Sequence, residues 1–486
     1  MLFIFFGMFY HGSILYYLIF SISFFLLLTS ALRSMISYTY LFTAIFLWLG
    51  FWLKCTIHTI FNYPYPEAMG TFFPSGDSMD GVLLVATIGC WGVMCARFFL
   101  SLWKFKSTVY VPSDKVFRAP EFYINNRGAI ILAVITLIII TAILNVIYGI
   151  NQSGLVPEVR LIWPLNALVY WSLGIGFALL LTNILWWESL YEKKSMSIFV
   201  CALVEPFVSS ISILSRATYI FHFLPVFIAF LINKKRLRIR VSNLQILGVI
   251  LLCAILFVIS IKTVSCFRRD KYYIIPSAVD VMPPVFNKSS YPEKKATQLR
   301  VVPPIFNKSS YPEKKTTQLR VVPPIFNILS ELVIDRWIGM EGVMAISSYP
   351  QKNVKLLKDA LIEKSVIGKI GMYQFIAHAH YTQMDTARYT FGTMPGPIGF
   401  FYYSGYLLIV FLGMFIFTSI MILSEFLVCY LGGNYFLNSL YGMYAAGTIA
   451  QFGVIPTVLL KQYLMIFLLM LIFRISKVKT KQEKTE

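Results

Sequence analysis

Two groups of residues in this chain are of types that can do chemistry. The first is Ser215-Arg216-Ala217, an arginine in the short turn between two apolar runs. A guanidinium grips phosphate oxygens bidentately, so Arg216 reads as an anion clamp or, more plainly, as an arginine snorkelling at an interface. The second is His378-Ala379-His380-Tyr381, followed by Asp385 and Arg388. A neutral imidazole near pH 7 is a good general base; the plain alternative is a pair of exposed polar loop residues. A metal would need a third and a fourth ligand, and the local sequence offers only Asp385, so no metal is expected. Glu205 before Pro206, His222 and Lys461 stand inside or at the edge of apolar runs. Ionisable groups there are expensive and usually functional. Glu205 and His222 each read as a satisfied intramembrane hydrogen-bonder or as part of a proton path. Lys461 reads as a snorkelling side chain or as a second cation for an outer pocket. No phosphate-cradling Gly-rich loop, Walker lysine or Ser-His-Asp signature occurs, so nucleotide-driven chemistry is not expected and no cofactor is implied.

The elements that must position these groups are set by composition. Of 486 residues 58% are apolar and only 13% charged, against about 25% charged in an ordinary soluble domain. The solvent must therefore be largely lipid. The seven cysteines are scattered through apolar runs without a CxxC pair and read as small apolar residues. The net charge of +20 sits in short blocks between apolar segments, which is topology control rather than a nucleic-acid surface. The amino terminus lacks a basic start and a small-residue cleavage site, so it reads as a retained helix.

A helix needs about 20 apolar residues to cross the hydrocarbon. The sequence predicts an all-α, polytopic integral membrane protein of about eleven spans, at residues 10–31, 38–57, 81–103, 128–149, 160–187, 196–213, 217–233, 242–262, 397–424, 436–456 and 457–474. The basic run from Lys234 to Arg240 and the lysine-rich tail after Arg474 anchor the cytoplasmic side. Arg33, Lys104, Lys106, Lys115, Arg118, Arg127, Lys193 and Lys194 then also fall inside. Glu67, Asp77 and Asp80 mark an acidic outer loop, which puts the amino terminus outside and the carboxyl terminus inside.

This divides the chain into an N-terminal bundle of about eight spans over residues 1–262, a large extracytoplasmic loop over 263–396, C-terminal spans over 397–474 and a basic tail over 475–486. The loop far exceeds ordinary connector lengths. Residues 281–300 recur almost unchanged as 301–320, and a third start at 321–327 diverges. Two and a third copies are too few to bury a core, and Pro-Pro, Lys-Ser-Ser and Glu-Lys-Lys favour an extended, solvated strap. Its Asn-Lys-Ser triplets at Asn287 and Asn307 match a glycosylation acceptor. Residues 328–346, with Arg336 and Glu341, look ordered. Pro350 is expected to open an amphipathic helix with Val354, Leu357 and Leu361 on one face, lying on the membrane or on the bundle.

Taken together, the multi-span layout, Ser215-Arg216-Ala217, His378-Ala379-His380, and Thr393-Met394-Pro395-Gly396-Pro397-Ile398-Gly399 followed by Tyr402-Tyr403-Ser404-Gly405 resemble the Wzy-type surface-polysaccharide (O-antigen) polymerases and the related O-antigen ligases. The residue after His380 is Tyr381, where ligases often carry asparagine. The resemblance implies a bacterial inner-membrane glycosyltransferase of cell-envelope and lipopolysaccharide biosynthesis. Its substrate would be oligosaccharide repeat units on undecaprenyl pyrophosphate at the outer face, and a chain-length regulator is a possible partner. Arg216, Arg336 and Arg388 would hold the pyrophosphate. His380 or His378 would take the acceptor's proton, with Glu341 and Asp385 in reserve. The competing readings are a transporter or flippase using Glu205, His222 and Lys461, and a non-catalytic envelope assembly partner with the repeat as its arm.

Overall fold

The computed structural model describes residues 2–33, 35–62, 65, 67–103, 107–109, 119–191, 196–235, 242–272, 337, 339–363, 371–378, 395–432, 434–447, 468–472 and 474. Among these residues there is no β-strand, and eight helices are long and apolar enough to cross a membrane. They are α2 (Ile14–Arg33), α3 (Tyr38–Phe61), α4 (Gly76–Leu102), α5 (Glu121–Tyr148), α6 (Leu165–Tyr191), α8 (Arg216–Asn233), the Asn243–Arg268 part of α9, and α14 (Leu407–Gly432). Helix α1 (Leu2–Gly7) precedes them, the shorter α7 (Met196–Ser212) lies between α6 and α8, and α9 itself runs over Asn243–Tyr272. The chain is an all-α, multi-pass membrane protein by this architecture. The repeat at 281–327, the 457–467 part of the expected last span and the 475–486 tail lie outside the described residues.

Burial sorts the helices into centre and rim. The span window of α3 is 72% buried, while those of α5 and α9 are 17% and 11% buried, so the latter two leave most of their apolar surface for lipid. Helix α4 packs on α2 and α14, and α3 packs on α15 (Tyr435–Ala446), which also lies against α8. Two long helices borrow their N-terminal caps from elsewhere in the chain. The first turn of a helix leaves N–H groups without partners, and a carboxylate satisfies both those donors and the dipole. Asp80 of α4 accepts from the Ser13 amide at 3.0 and 3.1 Å, just ahead of α2, and from Tyr10 at 2.8 Å. Glu425 of α14 accepts from the Tyr38 and Thr39 amides and from the Ser37 and Thr108 hydroxyls at 2.5–2.9 Å.

Two of the spans are not regular. Residues Trp48–Leu53 of α3 and Ser172–Gly176 of α6 are π-helical, a local widening that frees carbonyls and often marks a functional position. The span expected at 397–424 is also broken. A short helix, α13 (Gly396–Tyr402), ends in a turn over 403–406 before α14 begins.

The ordered second half of the large loop turns inward. Helix α10 (Met340–Ser348) buries every residue from Met340 through Ile346. Trp337 stacks on Phe46 of α3 with ring centroids 5.2 Å apart. Phe46 stands fifteen residues before Phe61, so at 1.5 Å per residue this indole lies about 22 Å below that end of α3. Only glycine lets the backbones come this close. A Cβ on Gly339 would lie 2.6 Å from the Gly50 carbonyl, and one on Gly342 would overlap the Pro395 carbonyl. The expected amphipathic helix exists as α11 (Val354–Leu361), begun by Asn353, whose side chain accepts from the Leu356 amide at 2.8 Å. Its buried positions are Leu357 and Ala360, whereas Val354 and Leu361 are exposed. The inward face is therefore narrower than the apolar spacing implies.

Candidate functional site

The two ends of the bundle can be told apart from their contacts. Asn233, the last residue of α8, donates to the Val109 carbonyl at 2.9 Å and to the Tyr38 hydroxyl at 3.4 Å. The start of α3 therefore meets the end of α8. Arg216 at the start of α8 lies at the opposite end, with Phe61 and the 67–75 loop. His378 lies there too, just past the short α12 (Met372–Ile376), because the Gly70 amide donates to the Ala377 carbonyl at 2.8 Å. Arg216 and His378 thus share one end of the molecule. Among the described residues no hydrogen bond or ion pair joins them.

Arg216 is delivered by a tight turn. Leu214 sits at φ 57°, a left-handed conformation that costs an L residue about 1–2 kcal/mol. Three bonds hold it there: Ser215 amide to the Ser210 carbonyl at 2.9 Å, Ser153 amide to the Ile213 carbonyl at 2.7 Å, and Arg268 Nε to the Leu214 carbonyl at 2.8 Å. Strain that the surroundings overdetermine is common at functional positions. The guanidinium of Arg216 is half-buried, and its Nε is buried with no acceptor among the described residues. Arg268 brings a second guanidinium to the same turn.

Below Arg216 lies a buried dyad. His222 Nδ1 is 3.1 Å from Glu205 Oε1, and Ser209 donates to the same oxygen at 2.7 Å. His222 Nε2 faces the carbonyl of Gly174, in the π-helical part of α6, at 2.8 Å. A carbonyl only accepts, so Nε2 carries a proton, and a second proton is shared between Nδ1 and Glu205. The pair is an imidazolium–carboxylate or its neutral equivalent, with both side chains almost wholly inside the bundle.

Glu341 forms an ion pair with Lys54 of α3, at 2% and 0% side-chain exposure. Lys54 also donates to the Trp337 carbonyl at 2.9 Å. It follows directly on the π-helical segment, whose Gly50 faces Gly339. The pair lies about 10 Å below the Phe61 end of α3. The Glu341 charge is felt by two phenols outside the spans. Burial first and this carboxylate next hold Tyr373 well above its usual range. Burial, Cys55 and then Glu341 do the same to Tyr65.

Beside these groups is a cavity of about 420 Å³, lined by Tyr10, His11, His58, Asn62, Tyr65, Met69, Phe73 and Ser75. The buried His58 imidazole stacks on the Tyr65 ring at 4.3 Å and 11°. The cavity adjoins His378 through Met69 and Gly70. His378 itself is exposed, at φ 53°. His380, Asp385, Arg388, Arg336 and Lys461 lie outside the described residues. Among the described residues no three His, Cys, Asp or Glu side chains gather as metal ligands would.

The sequence reading placed Glu205, His222 and Arg216 among the functional candidates but passed over Lys54, Glu188, Arg268 and His58. Lys54 and Glu188 are charges inside apolar runs, the same signal that singled out Glu205. Glu188 accepts from Tyr123 and from Arg127, the latter through Nε at 2.5 Å and Nη2 at 2.8 Å. His58 follows an apolar run, and nothing in its neighbours marks it. No family model, no curated protein and no solved structure matches this chain.

Proposed function

We propose that the chain is a polymerase of oligosaccharide repeat units carried on undecaprenyl pyrophosphate, working at the outer face of a bacterial inner membrane. The observation that carries the reading is the placing of Arg216 and His378 at one end of the bundle, the end that also holds the aromatic-walled cavity. In this mechanism an acceptor hydroxyl attacks the anomeric carbon of the donor sugar. The new C–O bond forms as the bond to pyrophosphate breaks, and the lipid pyrophosphate leaves with the electron pair. Its growing negative charge calls for fixed cations. Arg216 fills that role, with Arg268 steadying the turn and Arg336 and Arg388 as loop-borne helpers. The acceptor proton passes to His378 or His380, with Asp385 in reserve. Glu341, engaged with Lys54, positions α10 rather than taking a proton.

The test is product length. Purified protein given defined lipid-linked repeat units should build a ladder of longer chains, and Arg216→Ala should stop the ladder while leaving the protein folded. Full activity in that variant removes the clamp. The Glu205–His222 dyad favours a second reading, a proton-coupled transporter. A transporter moves labelled repeat units across proteoliposomes without lengthening them.

A further inference from the structure

At the Tyr38 end, far from the site above, a second cavity of about 350 Å³ opens between α2 and α4. Two guanidinia line it, Arg33 from α2 and Arg97 from α4. Arg97 lies over the Tyr40 ring, 5.3 Å from its centroid, and the Tyr40 and Ser30 hydroxyls are 2.7 Å apart. Ser30 donates to the Leu27 carbonyl at 2.8 Å, so the phenol donates to Ser30, and the ring that carries Arg97 is fixed. The same lining carries apolar surface: Leu26, two turns before Arg33 on α2, and Phe98, next to Arg97 on α4, are 51% and 64% exposed on the outside of the helices.

We infer that this cavity binds the phosphodiester headgroup of an anionic membrane lipid, with Arg33 and Arg97 on the phosphate and the acyl chains along Leu26 and Phe98. Guanidinium and phosphate pair bidentately, and basic pockets between membrane helices suit such headgroups. A free phosphate shares the headgroup chemistry but has no use for the apolar surface. The inference is independent of the polymerase reading.

The test uses the full chain in detergent, with native mass spectrometry against phosphatidylglycerol, phosphatidylcholine and inorganic phosphate. The expected result is at least tenfold tighter retention of phosphatidylglycerol than of phosphatidylcholine, lost in Arg33→Gln/Arg97→Gln. A photoactivatable phosphatidylglycerol should label peptides covering residues 26–33 and 94–98. If the double variant does not fold, Arg33→Gln alone carries the test, because Arg33 is exposed at the end of its helix. Equal retention by wild type and variant, or labelling confined to other helices, overturns the site. Displacement of the lipid by millimolar inorganic phosphate overturns the lipid assignment and leaves a free-phosphate site.

Discussion

Lys54→Met leaves the Glu341 carboxylate without its cation at 2% side-chain exposure. Breaking a buried pair from one side costs about 3–5 kcal/mol, because the stranded charge has lost its solvation as well as its partner. Glu341→Gln strands the ammonium instead. Lys54 keeps its bond to the Trp337 carbonyl, so this variant should sit at the lower end, about 3 kcal/mol. Lys54→Met/Glu341→Gln removes both charges. It should cost only about 1–2 kcal/mol, for the carbonyl and amide left short of partners. The cycle therefore closes with a coupling of at least about 4 kcal/mol. Equilibrium unfolding in mixed dodecyl sulfate micelles, followed by tryptophan fluorescence, reads all four proteins, and Trp337 against Phe46 is a local reporter of the docked segment. Single variants within 1 kcal/mol of wild type, with additive effects in the double, would refute a closed ion pair and with it the inward seat of α10.

Further expectations follow from the same geometry. Gly342→Ala drives a methyl into the Pro395 carbonyl, and unfolding should become easier by more than about 2 kcal/mol, whereas Gly81→Ala, with open space around it, should be neutral. Glu425→Gln keeps an acceptor but loses the charge at the start of α3, for about 1–2 kcal/mol in the same unfolding assay. His378→Gly relieves a left-handed backbone at an exposed residue, so stability should rise by about 0.5–1 kcal/mol. On the polymerase reading the same change slows chain elongation about 100-fold, measured as ladder length against time. Arg216→Lys keeps the charge and loses the fork, and elongation should fall nearly as far as in Arg216→Ala.

The long helices were legible because hydropathy over about 20 residues is a strong signal, and the spans expected at 38–57, 81–103 and 217–233 fall on α3, α4 and α8 within a few residues. Helix α10 was not legible. Nine residues are too few to register as a span, and its burial depends on Gly50 and Pro395, which are distant in sequence. The break after Tyr402 was hidden for the opposite reason, since apolar residues run on both sides of the turn. At the site, Glu205 and His222 were each visible as polar groups in apolar runs, but the Gly174 carbonyl that orients the imidazole for their pairing lies in a local widening of α6 that leaves no compositional trace. Lys54 was visible in the same way, but its role depends on a carboxylate supplied by a segment that reads as a loop.

That dependence has a consequence for biogenesis. Lys54 and the carbonyl it holds are separated by 283 residues. At about 5–20 residues per second of synthesis, the ammonium waits roughly 15–60 s inside a newly inserted helix before its counter-charge leaves the ribosome. During that interval the lysine must keep water beside it or lean on the insertion machinery. The seating of α10 is thus a late, post-insertion step that commits the earlier helices to their final arrangement.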